Sequence, residues 1–223
     1  MIYTFAVDLH GDQELLERII RQFMLDTRLV LVGDYVDSYN NTIREQAKTF
    51  ESVHEEALRG NLDALLGNHE LSYLFKDMRC TGYDPILAEV CTPLNALQKS
   101  CPDIHPFKNY IYLPDSHLLI THAGLTARLL GNSMIDFASI PTELIYGIGK
   151  VRGGLDKFGG IFWCDFRNEF MPINGLKQVF GHTPLKKIEN IGDNYNIDCL
   201  EHGKKEVLQF NTETNKFKKV DIK

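Results

Sequence analysis

Five short polar fragments punctuate the chain: Asp8-Leu9-His10, Gly33-Asp34-Tyr35-Val36-Asp37, Gly67-Asn68-His69-Glu70, Thr121-His122-Ala123-Gly124 and Gly181-His182-Thr183-Pro184. In an extended segment, residues two apart project to the same side, so Asp8 and His10 can grip one ion. Carboxylate, imidazole and amide oxygen form a borderline-hard donor set that suits Mn, Fe or Zn better than a metal selected by thiolates. Any one of these fragments alone reads more simply as a hydrogen-bonded turn. Five of them, placed at strand ends, point to one shared metal centre.

The apolar pattern says what holds the fragments in place. Residues 2–7, rich in β-branched and aromatic side chains, predict a strand that ends in the first fragment. Leu15, Leu16, Ile19, Ile20 and Phe23 recur at three- and four-residue spacing and predict an amphipathic helix over 13–24. A second apolar run, 29–32, is cut by Gly33; 43–58 is helical in character; 64–66 is a third strand, cut by Gly67. This alternation implies a sheet with parallel early strands and helices on its faces, with the site outside the carboxyl ends of the strands. Later, 110–113 and 118–121 predict a hairpin around 114–116, and 178–180, 195–198 and 207–210 predict further strands. Helical periodicity over 83–97 and 133–148 suggests a cap, inserted at 76–109 and 133–148 into a single domain spanning 1–223.

With 223 residues and 43% hydrophobic composition, the chain can bury one substantial core. A net charge of -6 provides no global field for nucleic acid or an acidic membrane. The basic stretches Lys186-Lys187 and 216–219 are too short to outweigh it. The five cysteines, Cys80, Cys91, Cys101, Cys164 and Cys199, are odd in number and contain no C-x-x-C pair, as expected of reduced thiols in a cytoplasmic protein. There is no basic leader followed by an apolar stretch and no run of about 18 apolar residues, so the expectation is a soluble protein.

In their order and content the fragments resemble the calcineurin-like metallophosphoesterase superfamily, in the branch of Ser/Thr protein phosphatases and symmetric diadenosine tetraphosphate hydrolases. That pattern reads Asp-x-His-Gly, Gly-Asp-x-Val-Asp-Arg-Gly, Gly-Asn-His-Glu, a further His near glycine, and Gly-His-Thr-Pro; the match runs from residue 8 to at least 184. The resemblance implies an α/β fold, a four-layer αββα sandwich of mixed sheets with a small helical cap. It also implies two divalent metal ions, manganese first with iron or zinc as alternatives. Asp8 and His10 would bind one ion, Asp34 would bridge both, and Asn68, His122 and His182 would complete the second. His69 matches the general acid, Asp37 the residue that fixes its tautomer, and Glu70 a structural hydrogen-bonder. The implied reaction is hydrolysis of a phosphate ester by in-line attack of a metal-bridging water.

The chain departs from the pattern at Ser38-Tyr39, where the family has Arg-Gly; a serine replaces neither the charge nor the bidentate fork of arginine. Arg167, in Phe162-Trp163-Cys164-Asp165-Phe166-Arg167, resembles the Trp-x-x-x-Arg segment of the compact phosphatases and is a candidate phosphate clamp, with Arg44 and Arg152 as weaker candidates. Tyr39 is a candidate to stack on or hydrogen-bond a substrate, and Asp198 to support the histidines. His54, His105, His117 and His202 fall outside any motif and read as structural. The expected substrate is a phosphorylated small molecule, a nucleotide or a phosphoprotein, with a phosphomonoesterase or Ser/Thr-type protein phosphatase as the first reading. A dinucleoside polyphosphate hydrolase is the alternative, and an inactive metal-stabilised binding module is the alternative of another class.

Overall fold

Strands β1 (Ile2–Ala6), β2 (Arg28–Leu31) and β3 (Asp63–Leu65) run parallel, side by side. The helices α1 (Gln13–Phe23) and α2 (Ile43–Leu58) are the crossovers between them. Each helix begins where its sequence supplies a cap. The Asp12 carboxylate accepts from the Leu15 N–H at 2.9 Å, while Thr42 and Glu45 cap each other's backbone reciprocally. The apolar stripe of α1 (Leu15, Leu16, Ile19, Phe23) and Phe50 and Val53 of α2 bury against Ala6, Leu29, Leu31 and Ala64 on one face of the sheet. The computed structural model describes residues 1–78, 80–91, 106–131 and 133–223.

On one side β4 (Phe107–Lys108) extends this sheet in parallel, and on the other β10 (Glu206–Asn211) and β11 (Lys216–Asp221) extend it antiparallel, in the order β11-β10-β1-β2-β3-β4. A second sheet contains β5 (Tyr110–Leu113), β6 (Leu118–Thr121), β7 (Lys177–Phe180), β8 (Glu189–Ile191) and β9 (Asn194–Asn196) in the order β5-β6-β7-β9-β8. Its centre, β6-β7-β9, is parallel and its edges are antiparallel. The sheets pack face to face through Phe5, Val7, Val30, Val32 and Leu65 of the first and Leu118, Ile120, Val179 and Ile197 of the second. The two-sheet α/β sandwich is therefore present.

The outer face of the second sheet differs from expectation. Residues 133–148 form no α-helix, only turns and a 3-10 turn at Thr142–Leu144. Pro141 and Gly147 interrupt the apolar spacing that suggested a helix. Helix is present at 85–91 but not at 83–84, and 92–97 of the 83–97 expectation lie outside the described residues, as does His105. The strands β4, β8 and β11 were not anticipated. β4 has two residues, β8 is exposed throughout, and β11 carries Lys216, Lys218 and Lys219 on an edge, where charge blunts further pairing. Cys80, Cys91, Cys164 and Cys199 are free thiols. Among the described residues no helix is long and apolar enough to cross a membrane.

Candidate metal centre

The polar fragments meet where strands of both sheets end. Asp8 and His10 follow β1, Asp34 and Asp37 follow β2, and Asn68 and His69 open α3 (Asn68–Leu74) just after β3. His122 and His182 follow β6 and β7 of the opposite sheet. Glu70 ties the β2 and β3 loops together: its fully buried carboxylate accepts from the N–H groups of Asp34 (2.9 Å), Tyr35 (2.8 Å) and Gly67 (2.8 Å). Burial and the nearby Asp34 charge push Glu70 up to about 7, against the pull of those three donors. The approach of the loops leaves no room for side chains. A Cβ on Gly33, at φ 97°, would sit 2.6 Å from the Gly67 backbone, and one on Gly67 would collide with the Asp34 carboxylate.

Backbone strain concentrates here. Among the described residues, five of the seven non-glycine residues with positive φ are Asp8 (54°), His10 (42°), Asp34 (58°), Asp37 (64°) and His182 (70°). Such conformations cost of order 1–3 kcal/mol each and persist where surrounding structure over-determines them.

The donors converge as a cation cradle requires. Both ring nitrogens of His122 face oxygens: Nδ1 lies 2.9 Å from the Val32 carbonyl, and Nε2 lies 2.9 Å from Asn68 Oδ1 and 3.3 Å from Asp34 Oδ2. A neutral ring has one N–H, so Nε2 either carries a second proton, which the Asp34 charge favours against burial, or shares these oxygens with a bound cation. His182 Nδ1 joins the group, 2.7 Å from Asn68 Oδ1 and 3.2 Å from His122 Nε2. Burial, with His122 and Arg152 nearby, holds His182 well below its ordinary value, so it offers a lone pair. Cys80 fixes the Asn68 amide, whose Nδ2 lies 3.4 Å from Sγ, which leaves Oδ1 turned to the histidines.

The neighbouring group has the same logic. His10 Nδ1 lies 2.8 Å from the Val36 carbonyl, so the neutral tautomer that donates there offers Nε2 to Asp8 Oδ1 at 3.7 Å and Asp34 Oδ2 at 4.0 Å. These gaps are too long for hydrogen bonds and suit donors placed around an ion at about 2 Å from each. Burial keeps His10 below its ordinary value despite Asp34. Asp8, Asp34, Asp37 and Asp198 are all buried around this one space, a charge density that needs cations. The residues present therefore fit two metal ions that share Asp34.

His69 stands at the edge of the cradle. Its Nδ1 lies 2.9 Å from Asp37 Oδ2, its Nε2 lies 3.9 Å from Asp34 Oδ2, and its ring meets that of His10 edge to face. Burial disfavours the cation, but Asp34 and the hydrogen-bonded Asp37 outweigh it and push His69 up to about 9.

These groups floor a cavity of about 550 Å³. Tyr39, 75% exposed, stands in its lining. Arg167 does not: it is exposed and its Nη2 donates to the Pro184 carbonyl. Arg44 is likewise exposed and outside the lining. The arginine in the wall is Arg152, on a glycine-flanked turn whose neighbours Gly153 and Gly154 also line the cavity. Its guanidinium pairs with Asp165 at 3.0 Å and donates to Thr183 Oγ1 at 3.0 Å. Trp163, Glu201, Cys80 and Asp198 complete much of the wall. His202, read as structural, is there too, paired with Glu201 at 3.0 Å. His54, which stacks on Phe50 and Phe107, and His117, which bonds to Tyr112, stay apart from the cavity.

A two-sheet sandwich with buried Asp, His and Asn donors gathered at strand ends from both sheets defines a metal-dependent hydrolase. The chain belongs to the calcineurin-like phosphoesterase family, whose model matches residues 4–221, and it is accordingly a metal-dependent phosphoesterase. A solved structure provisionally assigned as a diadenosine tetraphosphatase is 17% identical, with 98% of this chain and 92% of that one covered and a TM-score of 0.53, a likeness of fold. The phosphoesterase Yfce from E. coli is 17% identical over the full length of both chains, with a TM-score of 0.48. No curated protein sequence matches the chain.

Proposed function

We propose that the chain is a phosphomonoesterase, acting on a phosphorylated small molecule or a phosphoprotein. Residues 1–223 form one catalytic domain, because both sheets contribute to the cradle. Asp8, His10 and Asp34 would hold one divalent ion, and Asp34, Asn68, His122 and His182 would hold the other. Bound there, the ions supply a nucleophilic water at neutral pH and neutralise phosphate charge. The chain's own residues do the rest. Arg152 offers the fixed positive charge that Ser38 lacks, His69 gives its Nε2 proton to the leaving oxygen, and Asp37 holds Nδ1–H so that the ring faces the cradle.

The observation that carries this reading is the pairing of His69 with Asp37 beside the donor cluster. A positioned acid matters most when the leaving group is a poor one, such as the alkoxide of a phosphomonoester; a nucleoside diphosphate leaves from an anhydride with less need of a proton. One observation favours the dinucleoside polyphosphate reading: the exposed Tyr39 ring at the cavity could stack on a base. The two separate cleanly in an assay of the manganese-loaded protein on a phosphopeptide, phenyl phosphate and diadenosine tetraphosphate. Turnover of the tetraphosphate alone would overturn the phosphomonoester reading.

A further inference from the structure

Asp37 has two carboxylate oxygens, and only Oδ2 faces His69. Oδ1 accepts a hydrogen bond from the Tyr73 hydroxyl, which comes from one turn further along α3 than His69. That hydroxyl is itself placed from behind: it accepts from the Asp84 backbone N–H at 3.2 Å, and the Tyr73 ring stacks on Tyr83 with centroids 4.9 Å apart. Gly82 packs against the backbone and Cβ of the same aspartate, where an added Cβ would lie 3.0 Å from the Asp37 Cβ. The Tyr73 residue is 6% exposed. Burial and the Asp37 carboxylate hold its phenol far above the ordinary range, so the hydroxyl is the donor and Asp37 stays the acceptor.

A carboxylate anchored through one oxygen can still turn about its Cβ–Cγ bond and carry the imidazole with it. Donors on both oxygens fix its plane. We propose that Tyr73 is a positioning residue: acting through Asp37, it holds the His69 ring where Nε2–H meets the departing oxygen. The inference rests on His69 being the acid. As the P–O bond breaks, its electron pair stays on the leaving oxygen, which takes the Nε2 proton. The neutral ring keeps Nδ1–H on Asp37, and neither Asp37 nor Tyr73 changes its protonation.

The test is the dependence of kcat/KM on the leaving group, measured for wild type, Tyr73→Phe and His69→Asn with p-nitrophenyl phosphate, phenyl phosphate and an alkyl phosphate. Tyr73→Phe removes one oxygen and keeps the stacked ring. General acid catalysis contributes about 10²–10⁴-fold, so a loosened acid should lose about 10-fold on the alkyl ester and much less on the nitrophenyl ester. The ratio is taken within one preparation, so a reduced folded fraction cancels, and a purely structural role would lower all three rates alike. Equal losses on all esters, or none, for Tyr73→Phe while His69→Asn shows the graded loss would overturn the role of Tyr73 and leave the acid intact. If His69→Asn loses equally on all three, the acid assignment falls and this inference with it.

Discussion

Glu70 offers the sharpest test of how the cradle is built, because its three hydrogen bonds distribute unequally over two oxygens. Oε2 accepts from Asp34 and Gly67, and Oε1 from Tyr35. In Glu70→Gln the amide oxygen can keep the Oε2 position and both its bonds, which sets the NH₂ against the Tyr35 N–H. One buried donor then loses its partner, at about 1–3 kcal/mol. Removal of a buried charge that Asp34 repels offsets part of that loss. Glu70→Ala orphans all three donors and costs roughly 3 kcal/mol at the least. At about 2–4 °C per kcal/mol for a chain of this size, Glu70→Ala should lower Tm by at least about 6 °C, with Glu70→Gln in between. Thermal unfolding with a chelator present, followed by circular dichroism, isolates the protein contribution from metal linkage. A Glu70→Ala melt within a degree of wild type, or a Glu70→Gln melt below that of Glu70→Ala, would refute the reasoning.

Other predictions concern charge and metal. Chelation should abolish hydrolysis and manganese should restore it; Asp34→Asn should deplete both ions by elemental analysis, whereas His69→Asn should keep them, and two ions retained in Asp34→Asn would exclude a shared ligand. Arg152→Ala should weaken kcat/KM about 10–100-fold, as expected for one charge-assisted contact of about 1.5–3 kcal/mol, while Arg167→Ala leaves it unchanged; the reverse result would restore Arg167 as the clamp. Asp63 sits 2.7 Å from both Arg28 and Lys108, and these partners outweigh burial and hold it below its ordinary value. Its stabilisation is therefore present above pH ~4 and lost as pH falls through the folded value. Urea midpoints of wild type and Asp63→Asn should differ at pH 7 and converge in acid, and a gap that is constant with pH would contradict this.

The first half of the fold was legible because each strand there ends in its own punctuation: Gly33 and Gly67 stop the apolar runs that became β2 and β3, and the stripe from Leu15 to Phe23 announces α1. The same punctuation brought Asp8, Asp34, Asn68, His122 and His182 into view, and they do gather in one place. Arg152 was harder to rank above Arg167. Arg167 has the tidier local spacing, but a turn at 149–154 carries Arg152 into the cavity wall, and such a turn has no periodicity to read. His202 belonged to no motif for the same reason. Periodicity is misleading at 133–148, where the apolar spacing suggests a helix that Pro141 interrupts and Gly147 disfavours. β11 was hidden because lysines on an edge strand look like a solvated tail, and the role of Glu70 as a three-way staple is invisible until the loops of β2 and β3 are seen to meet.

The left-handed backbone at Asp8, His10, Asp34, Asp37 and His182 bears on any attempt at laboratory evolution of this enzyme. A glycine at Asp8 would relax a conformation worth roughly 1–3 kcal/mol and remove a negative charge that burial, Asp198 and Asp34 all disfavour. Selection for heat resistance alone would therefore be drawn towards the residues that make the catalyst, and would enrich sturdier proteins that no longer turn over. A library for this scaffold needs survival and turnover scored together, with diversity directed to the helices and the outer sheet edges.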